Sequence, residues 1–249
     1  MKKVIFLLLT LTLYSCNNDD DSNTGNSIHY MKIEYKNEQT NYITYYYEFY
    51  FDSEGKVTSF HFSGLDPAND PDNSFVSTYE YNNEGKVIKE ITDGQLYQSV
   101  NWTNNIAEVY NHLNQKTDEF IFFDDGTIER HYGLNISNGN ITRKYYYDSN
   151  QNITHLENDT ERIQEYWNYD LNKQNPVNLL KSIGIFRMWQ HPYTKNIFYS
   201  RKEFPIDEED HTIPLKIHEY EYTFDSENRV RTMKITNDIY NSIQEFTYQ

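Results

Sequence analysis

The stretch Tyr47-Glu48-Phe49-Tyr50-Phe51-Asp52-Ser53-Glu54-Gly55-Lys56-Val57 decides the fold, because the chain writes it repeatedly. It returns as Tyr79-Glu80-Tyr81-Asn82-Asn83-Glu84-Gly85-Lys86-Val87 and as Tyr222-Thr223-Phe224-Asp225-Ser226-Glu227-Asn228-Arg229-Val230. Tyr145-Tyr146-Tyr147-Asp148 leading to Ile153 is another copy. Ile121 to Ile128 reads as a copy one residue shorter, and Tyr166-Trp167-Asn168-Tyr169-Asp170 leading to Asn175-Pro176-Val177 as a longer one. Aromatics at i and i+2 share one face of a strand. The Asp or Asn that follows accepts a backbone N–H two residues on and opens a type I turn, and Gly or Asn three positions later tolerates positive φ. Gln151 at that position weakens the turn in the Asp148 copy. Each copy therefore reads as a β-hairpin, and the chain as an antiparallel meander.

Composition agrees. Tyr 24, Phe 14 and Trp 3 make the chain 16% aromatic at a mean hydropathy of −0.88, which suits pleated, half-buried surfaces. The run from Tyr42 to Phe51 places aromatics on both faces of its strand. Either both faces are covered, as in a curled sheet or barrel, or cross-strand tyrosine pairs of about 0.2–1 kcal/mol each stabilise a partly single-layer sheet. The fold class is all-β: a long, curved antiparallel meander of repeated hairpins, partly rolled or barrel-like. Asn175-Pro176-Val177-Asn178-Leu179-Leu180-Lys181-Ser182-Ile183 breaks the rhythm with an Asn cap, Pro at the first helical position and apolar helical spacing. It predicts a short helix or structured loop near 176–190 that plugs an end of the sheet.

The repeated unit resembles the tyrosine-aspartate (YD) repeats of Rhs-type proteins, and more closely the YD-like repeats of Bacteroidetes lipoproteins of uncharacterised function. The resemblance spans most of residues 42–235 and implies hairpin architecture without catalytic residues. The copies are irregularly spaced, unlike the tight period of a large Rhs shell.

The N-terminus has a different character. Met1-Lys2-Lys3 precedes an apolar stretch from Val4 to Leu13, then Leu13-Tyr14-Ser15-Cys16. A basic n-region and a short h-region make residues 1–15 a signal peptide, too short to span about 30 Å of hydrocarbon. The tetrapeptide resembles the lipobox of bacterial lipoproteins, with Tyr14 departing from its pattern, which implies cleavage before Cys16 and diacylglycerol on its thiol. Cys16 is the chain's only cysteine, so no internal disulfide forms. Residues 16–27 follow without a large apolar side chain and read as a flexible acidic tether. These acids resemble the export signal of Bacteroidetes surface lipoproteins, which implies an outer-membrane anchor with the cell surface favoured over the periplasmic face. Residues 28–249 read as a single domain.

The formal net charge is −16, and removal of residues 1–15 with Lys2 and Lys3 carries it to −18. Such a chain repels phosphate backbones and anionic headgroups, so nucleic acid is not an expected partner and the lipid on Cys16 makes the membrane attachment. The eight histidines show no metal-ligand spacing. Neither a nucleophile elbow nor a phosphate-cradling glycine loop is present, and no cofactor is implied. Two acidic stretches, Asp66 to Asn73 and Asp207-Glu208-Glu209-Asp210, have oxygen donors of the kind calcium takes, without EF-hand spacing. Trp189, His191 and Tyr193, within Met188-Trp189-Gln190-His191-Pro192-Tyr193, stand outside the repeats as a candidate binding platform, or as core beneath the helix. The leading expectation is a noncatalytic envelope module for a glycan or protein ligand. A glycan or peptidoglycan hydrolase using paired carboxylates and a structural envelope protein are the alternatives.

Overall fold

The computed structural model describes residues 28–38, 40, 42–64, 73–135, 139–158, 161–186, 194–204, 214–237 and 241–249, with the side chains of 134–141 and 161 excepted. Its strands run in chain order, beginning with β1 (Tyr30–Asn37), β2 (Ile43–Phe51), β3 (Val57–Gly64), β4 (Ser74–Tyr81) and β5 (Val87–Thr92). Next come β6 (Gln95–Thr103), β7 (Ile106–Asn111), β8 (Lys116–Phe122), β9 (Ile128–Asn135), β10 (Gly139–Tyr147) and β11 (Ile153–Asn158). After β12 (Glu161–Gln174) a 3-10 helix (Pro176–Ile183) intervenes before β13 (Asn196–Glu203), β14 (Lys216–Phe224), β15 (Val230–Thr236) and β16 (Asn241–Tyr248). Each strand pairs antiparallel with its chain neighbours, and β1 pairs with β16 in the register Ile33 to Phe246. The meander is thus fully closed, and closure removes both sheet edges.

The hairpin turns form as the repeat dictates. Gly55 N–H donates to the Asp52 carbonyl at 3.1 Å and Asp52 N–H to the Lys56 carbonyl at 2.9 Å, while Gly55 takes φ +76°. The Asp52 carboxylate accepts two backbone N–H groups, from Glu54 and Lys56, each at 2.9 Å. Asn82, Asp148 and Asp225 repeat this double acceptance. Gln151 adopts φ 63° and closes its turn despite carrying a Cβ. The copy at Ile121 to Ile128 is full length: Phe123 occupies the position of Asp52, and Asp125 supplies the side-chain acceptor to Thr127 N–H instead. A further unit that the sequence reading passed over, Asn111 to Gln115, has the same bonds with Asn114 at φ 58°.

A register shift marks the strand end at six of these turns, for example between Tyr50 and Phe51 and between Glu80 and Tyr81. Near it, an inward aromatic reaches back to the previous strand. Tyr81 donates its hydroxyl hydrogen to the Val57 carbonyl at 2.6 Å, Tyr147 to Ile128 at 3.1 Å, Tyr222 to Phe198 at 2.8 Å and Tyr248 to Val230 at 3.0 Å. Tyr169 does the same to Ile153, and the Trp102 indole to Val87 at 2.8 Å. These hydroxyls staple successive strands together, which a phenylalanine cannot do.

A round barrel of sixteen strands encloses a water-filled channel. Here Phe49, Val57, Phe60, Ala107, Ile153 and Ile197 on the inner wall have no exposed surface, so the interior is filled. Each such aliphatic or aromatic side chain contributes about 1.5–3 kcal/mol on burial. The 3-10 helix supplies part of the filling through Val177, Leu180 and Ile183, capped by Asn175. Ser182 Oγ accepts the Val57 N–H at 3.3 Å, and the Phe186 ring lies against Tyr79.

The outer wall is polar. Lys36 meets Glu245 at 2.5 Å, Lys89 meets Glu80 at 2.7 Å, Lys116 meets Glu108 at 2.6 Å, and Tyr146 donates to Glu157 at 2.6 Å. Strand β4 alternates outward Ser74, Val76, Thr78 and Glu80 with inward Phe75, Ser77, Tyr79 and Tyr81. A membrane-spanning barrel needs the reverse pattern, and a Lys or Arg at mid-bilayer costs it about 2–4 kcal/mol. This wall faces water.

Candidate functional site

The sequence-designated residues Cys16, Trp189, His191, Tyr193, Asp207, Glu208, Glu209 and Asp210 lie outside the described residues, as does the acidic stretch 66–72. Among the described residues no His, Cys, Asp and Glu grouping is arranged to hold a metal ion. The barrel itself offers two candidate features.

The first is a set of polar side chains on the inner wall, set back from the repeat turns. His131 lies 2.7 Å from Asp118 and stacks on Phe120. Arg201 and His218 both converge on Glu203, at 2.5 Å and 3.3 Å. The hydrogen bond from His218 and the neighbouring charges of Arg201, His218 and Lys216 hold the Glu203 carboxyl down at about 2. Pairing of this kind is what buried charge requires. A His–Asp pair can serve as a general base; here the imidazoles are buried, His131 at 8% and His218 at 2% exposure, and their carboxylate partners are partly exposed. These groups bond the walls together.

The second feature is a cleft of about 180 Å³ at the end of the barrel where the repeat turns gather. Because the meander alternates up and down, the turns after β2, β4, β8, β10 and β14 all fall at this end. Chain entry is there too, since Tyr30 pairs with Tyr50 and Phe51 N–H bonds the His29 carbonyl. The β8–β9 turn brings Asp125 and Thr127, the β10–β11 turn brings Gln151, the helix brings Asn178 and Lys181, and Lys195 closes the ring. Phe122, Ile128, Tyr147 and Ile185 form an apolar and aromatic floor.

Local bonds hold this rim in place. Gln151 Nε2 donates to Asp125 Oδ2 at 3.2 Å and ties one turn to the next. The Thr127 hydroxyl and backbone N–H both donate to Asp125 Oδ1, which lowers the Asp125 pKa and keeps it ionised. Burial raises the Tyr147 pKa, and its hydroxyl is committed to the Ile128 carbonyl. Lys195 N–H donates to the Gln151 carbonyl at 3.4 Å, anchoring the chain that returns from the helix.

Asp125 is the one carboxylate among the described lining residues. Paired-carboxylate glycoside hydrolysis requires a second acid about 5–10 Å away and one partner that stays protonated. Asp125, its pKa lowered, fits only the ionised role in such a pair.

No family model and no curated protein matches the sequence. Among solved structures, a porin-like protein from Bacteroides uniformis ATCC 8492 matches with a TM-score of 0.59 at 9% identity, over 89% of this chain and 98% of that one. A porin-like protein from Bacteroides vulgatus ATCC 8482 matches over the same shares with a TM-score of 0.43, also at 9% identity. A Photorhabdus luminescens Tc holotoxin pore matches 80% of this chain and 12% of its own at 13% identity, with a TM-score of 0.30. The first likeness shows the fold: both chains build the same kind of barrel.

The lysines and Gln151 escaped the sequence reading, although a signal was available. Between Asp170 and Glu203 the chain contains no acidic residue but carries Lys173, Lys181, Arg187, Lys195, Arg201 and Lys202. In a chain of net charge −16 this is a pronounced local reversal. The segment holds the helix, both cleft lysines and the sequence Trp189 to Tyr193, which lies between the cleft residues Ile185 and Lys195 along the chain.

Proposed function

We propose that the mature chain is a noncatalytic glycan-binding barrel of the outer membrane, held by lipid on Cys16 and carried on the tether of residues 16–27, at the cell surface. The cleft carries this reading. An aromatic and aliphatic floor matches the apolar face of a sugar ring, and Thr127, Gln151 and Asn178 match its hydroxyls. Fixed amide and hydroxyl groups around such a floor give orientation, while the lone ionised carboxylate supplies no acid for turnover.

A recess of about 180 Å³ accommodates a terminal sugar ring. The tether reaches at most about 40 Å when extended, enough for a cleft at the tethered end to turn away from the membrane.

Calorimetric titration of the unlipidated Cys16→Ser domain with a panel of monosaccharides tests the reading. Binding that is lost in an Asn178→Ala, Gln151→Ala double variant of unchanged melting temperature is expected. Release of reducing ends from any glycan, or sugar binding indifferent to both substitutions, would overturn it.

A further inference from the structure

We propose that this cleft selects an acidic sugar: the carboxylate of a hexuronate ring sits between Lys181 and Lys195 while the ring rests on the Phe122 and Tyr147 floor. The inference rests on the sugar-binding reading above and adds charge selection to it.

Seven of the thirteen described lysines pair with a carboxylate: Lys32 with Glu34, Lys36 with Glu245, Lys56 with Glu54, Lys86 with Glu84, Lys89 with Glu80, Lys116 with Glu108 and Lys234 with Glu38. Lys181 and Lys195 line one cleft, and neither side chain has an ion pair or hydrogen bond among the described residues. No acid stands within four positions of either in the sequence, because both belong to the acid-free segment between Asp170 and Glu203. Asp125, the nearby carboxylate, is already engaged by Thr127 and Gln151.

The charges fix the class of ligand. Two lysines against one aspartate leave the cleft with one net positive charge, which complements a monoanion. A phosphate dianion meets Asp125 as a repulsive neighbour. Lysines offer point charges without the planar fork that favours bidentate oxyanions, so they accept a carboxylate from several directions. Charge placement separates the remaining monoanions. A uronate carries its charge on the ring's own exocyclic carbon, whereas a sulfate ester holds its charge one bridging oxygen farther from the ring.

The test is calorimetric titration of the Cys16→Ser domain with galacturonate and glucuronate against galactose, glucose and glucose 6-sulfate, at low and moderate salt. Uronates should bind about tenfold tighter than their neutral counterparts at low salt, with the margin shrinking as salt rises. Lys181→Gln and Lys195→Gln should each erase most of that margin without lowering the melting temperature. Lys89→Gln, on the outer wall, should change nothing. Equal affinity for acidic and neutral sugars would overturn the charge selection and leave the sugar reading standing. Preference for the sulfate would overturn the carboxylate assignment, and failure of every sugar to bind would overturn both readings.

Discussion

The hydroxyl of Tyr81 donates to the main-chain carbonyl of Val57 across 2.6 Å, and this bond joins the end of one strand to the start of the strand before it. The carbonyl belongs to the first residue of β3, opposite the register shift between Tyr50 and Phe51. The tyrosine of the repeat therefore does two things: its ring fills the inner wall and its hydroxyl satisfies a neighbouring backbone acceptor.

Removing that hydroxyl should expose the arrangement. Tyr81→Phe and Tyr222→Phe each remove a partly buried hydrogen bond to a main-chain carbonyl and should destabilise the barrel by about 1 kcal/mol. Tyr97→Phe, at a tyrosine 49% exposed, should stay within about 0.5 kcal/mol of the parent. Urea midpoints at constant slope measure the difference. Equal effects at all three sites would show that the staples contribute nothing.

The turn glycine makes a second prediction. A Cβ at Gly55 meets no atom within 4 Å, so the cost of replacing it comes from φ +76° alone. Gly55→Val should cost about 1–3 kcal/mol and Gly55→Asn clearly less, because Asn114 and Asn228 already hold φ 58° and 65° in equivalent turns. Asp52→Ala removes two backbone hydrogen bonds and should cost about 1–2 kcal/mol. If valine and asparagine at position 55 gave the same midpoint, the backbone explanation would fail.

Acid should loosen the Arg201, Glu203 and His218 cluster. The folded Glu203 pKa, about 2, lies below its ordinary value of 4.5, so its contribution is full above about pH 4.5 and disappears as pH falls toward 2. With its side chain 26% exposed, solvent screening reduces this to on the order of 1–2 kcal/mol. Glu203→Gln should be less stable than the parent at neutral pH and approach it at pH 2–3. A constant gap across that window would contradict the assignment.

Alkali acts on the tyrosines with the opposite sign. Burial pushes Tyr81 and Tyr145 up to about 12, above the ordinary value of 10.0. Their contribution is complete below pH 10 and is lost as pH rises from 10 to 12. Spectrophotometric titration should show exposed tyrosines ionising first and reversibly. The inner set should ionise only as the β-sheet circular dichroism collapses. A single transition near pH 10 with the sheet intact would show that the inner wall is wet.

How much of this was legible beforehand depends on distance along the chain. Turns were legible because Asp52, Gly55 and their equivalents act within five residues of one another. Two details failed for the same reason. Phe123 hid a full-length copy by occupying the aspartate position, and Gln151 showed that a turn with its other bonds in place tolerates a poor residue at positive φ. Closure was not legible: Ile33 and Phe246 pair across nearly the whole chain, and neither strand carries a mark of its partner. The 3-10 helix was legible from Asn175 and Pro176, and it fills one end of the interior as its apolar spacing implies. The cleft needs two turns, a helix and Lys195 brought together in space, so only its charge could be read early, in the acid-free run around Lys181 and Lys195.

A barrel with a polar outer wall needs another means of attachment to a membrane, and the proposed one is lipid on Cys16. The most direct measurement is fractionation of cells that express Cys16→Ser beside the parent, followed by size exclusion without detergent. The account predicts that the parent sediments with membranes, and that the variant is released by carbonate washing and elutes as a folded, soluble species. A variant that stays in the membrane after the wash, or folds only in detergent, would contradict it.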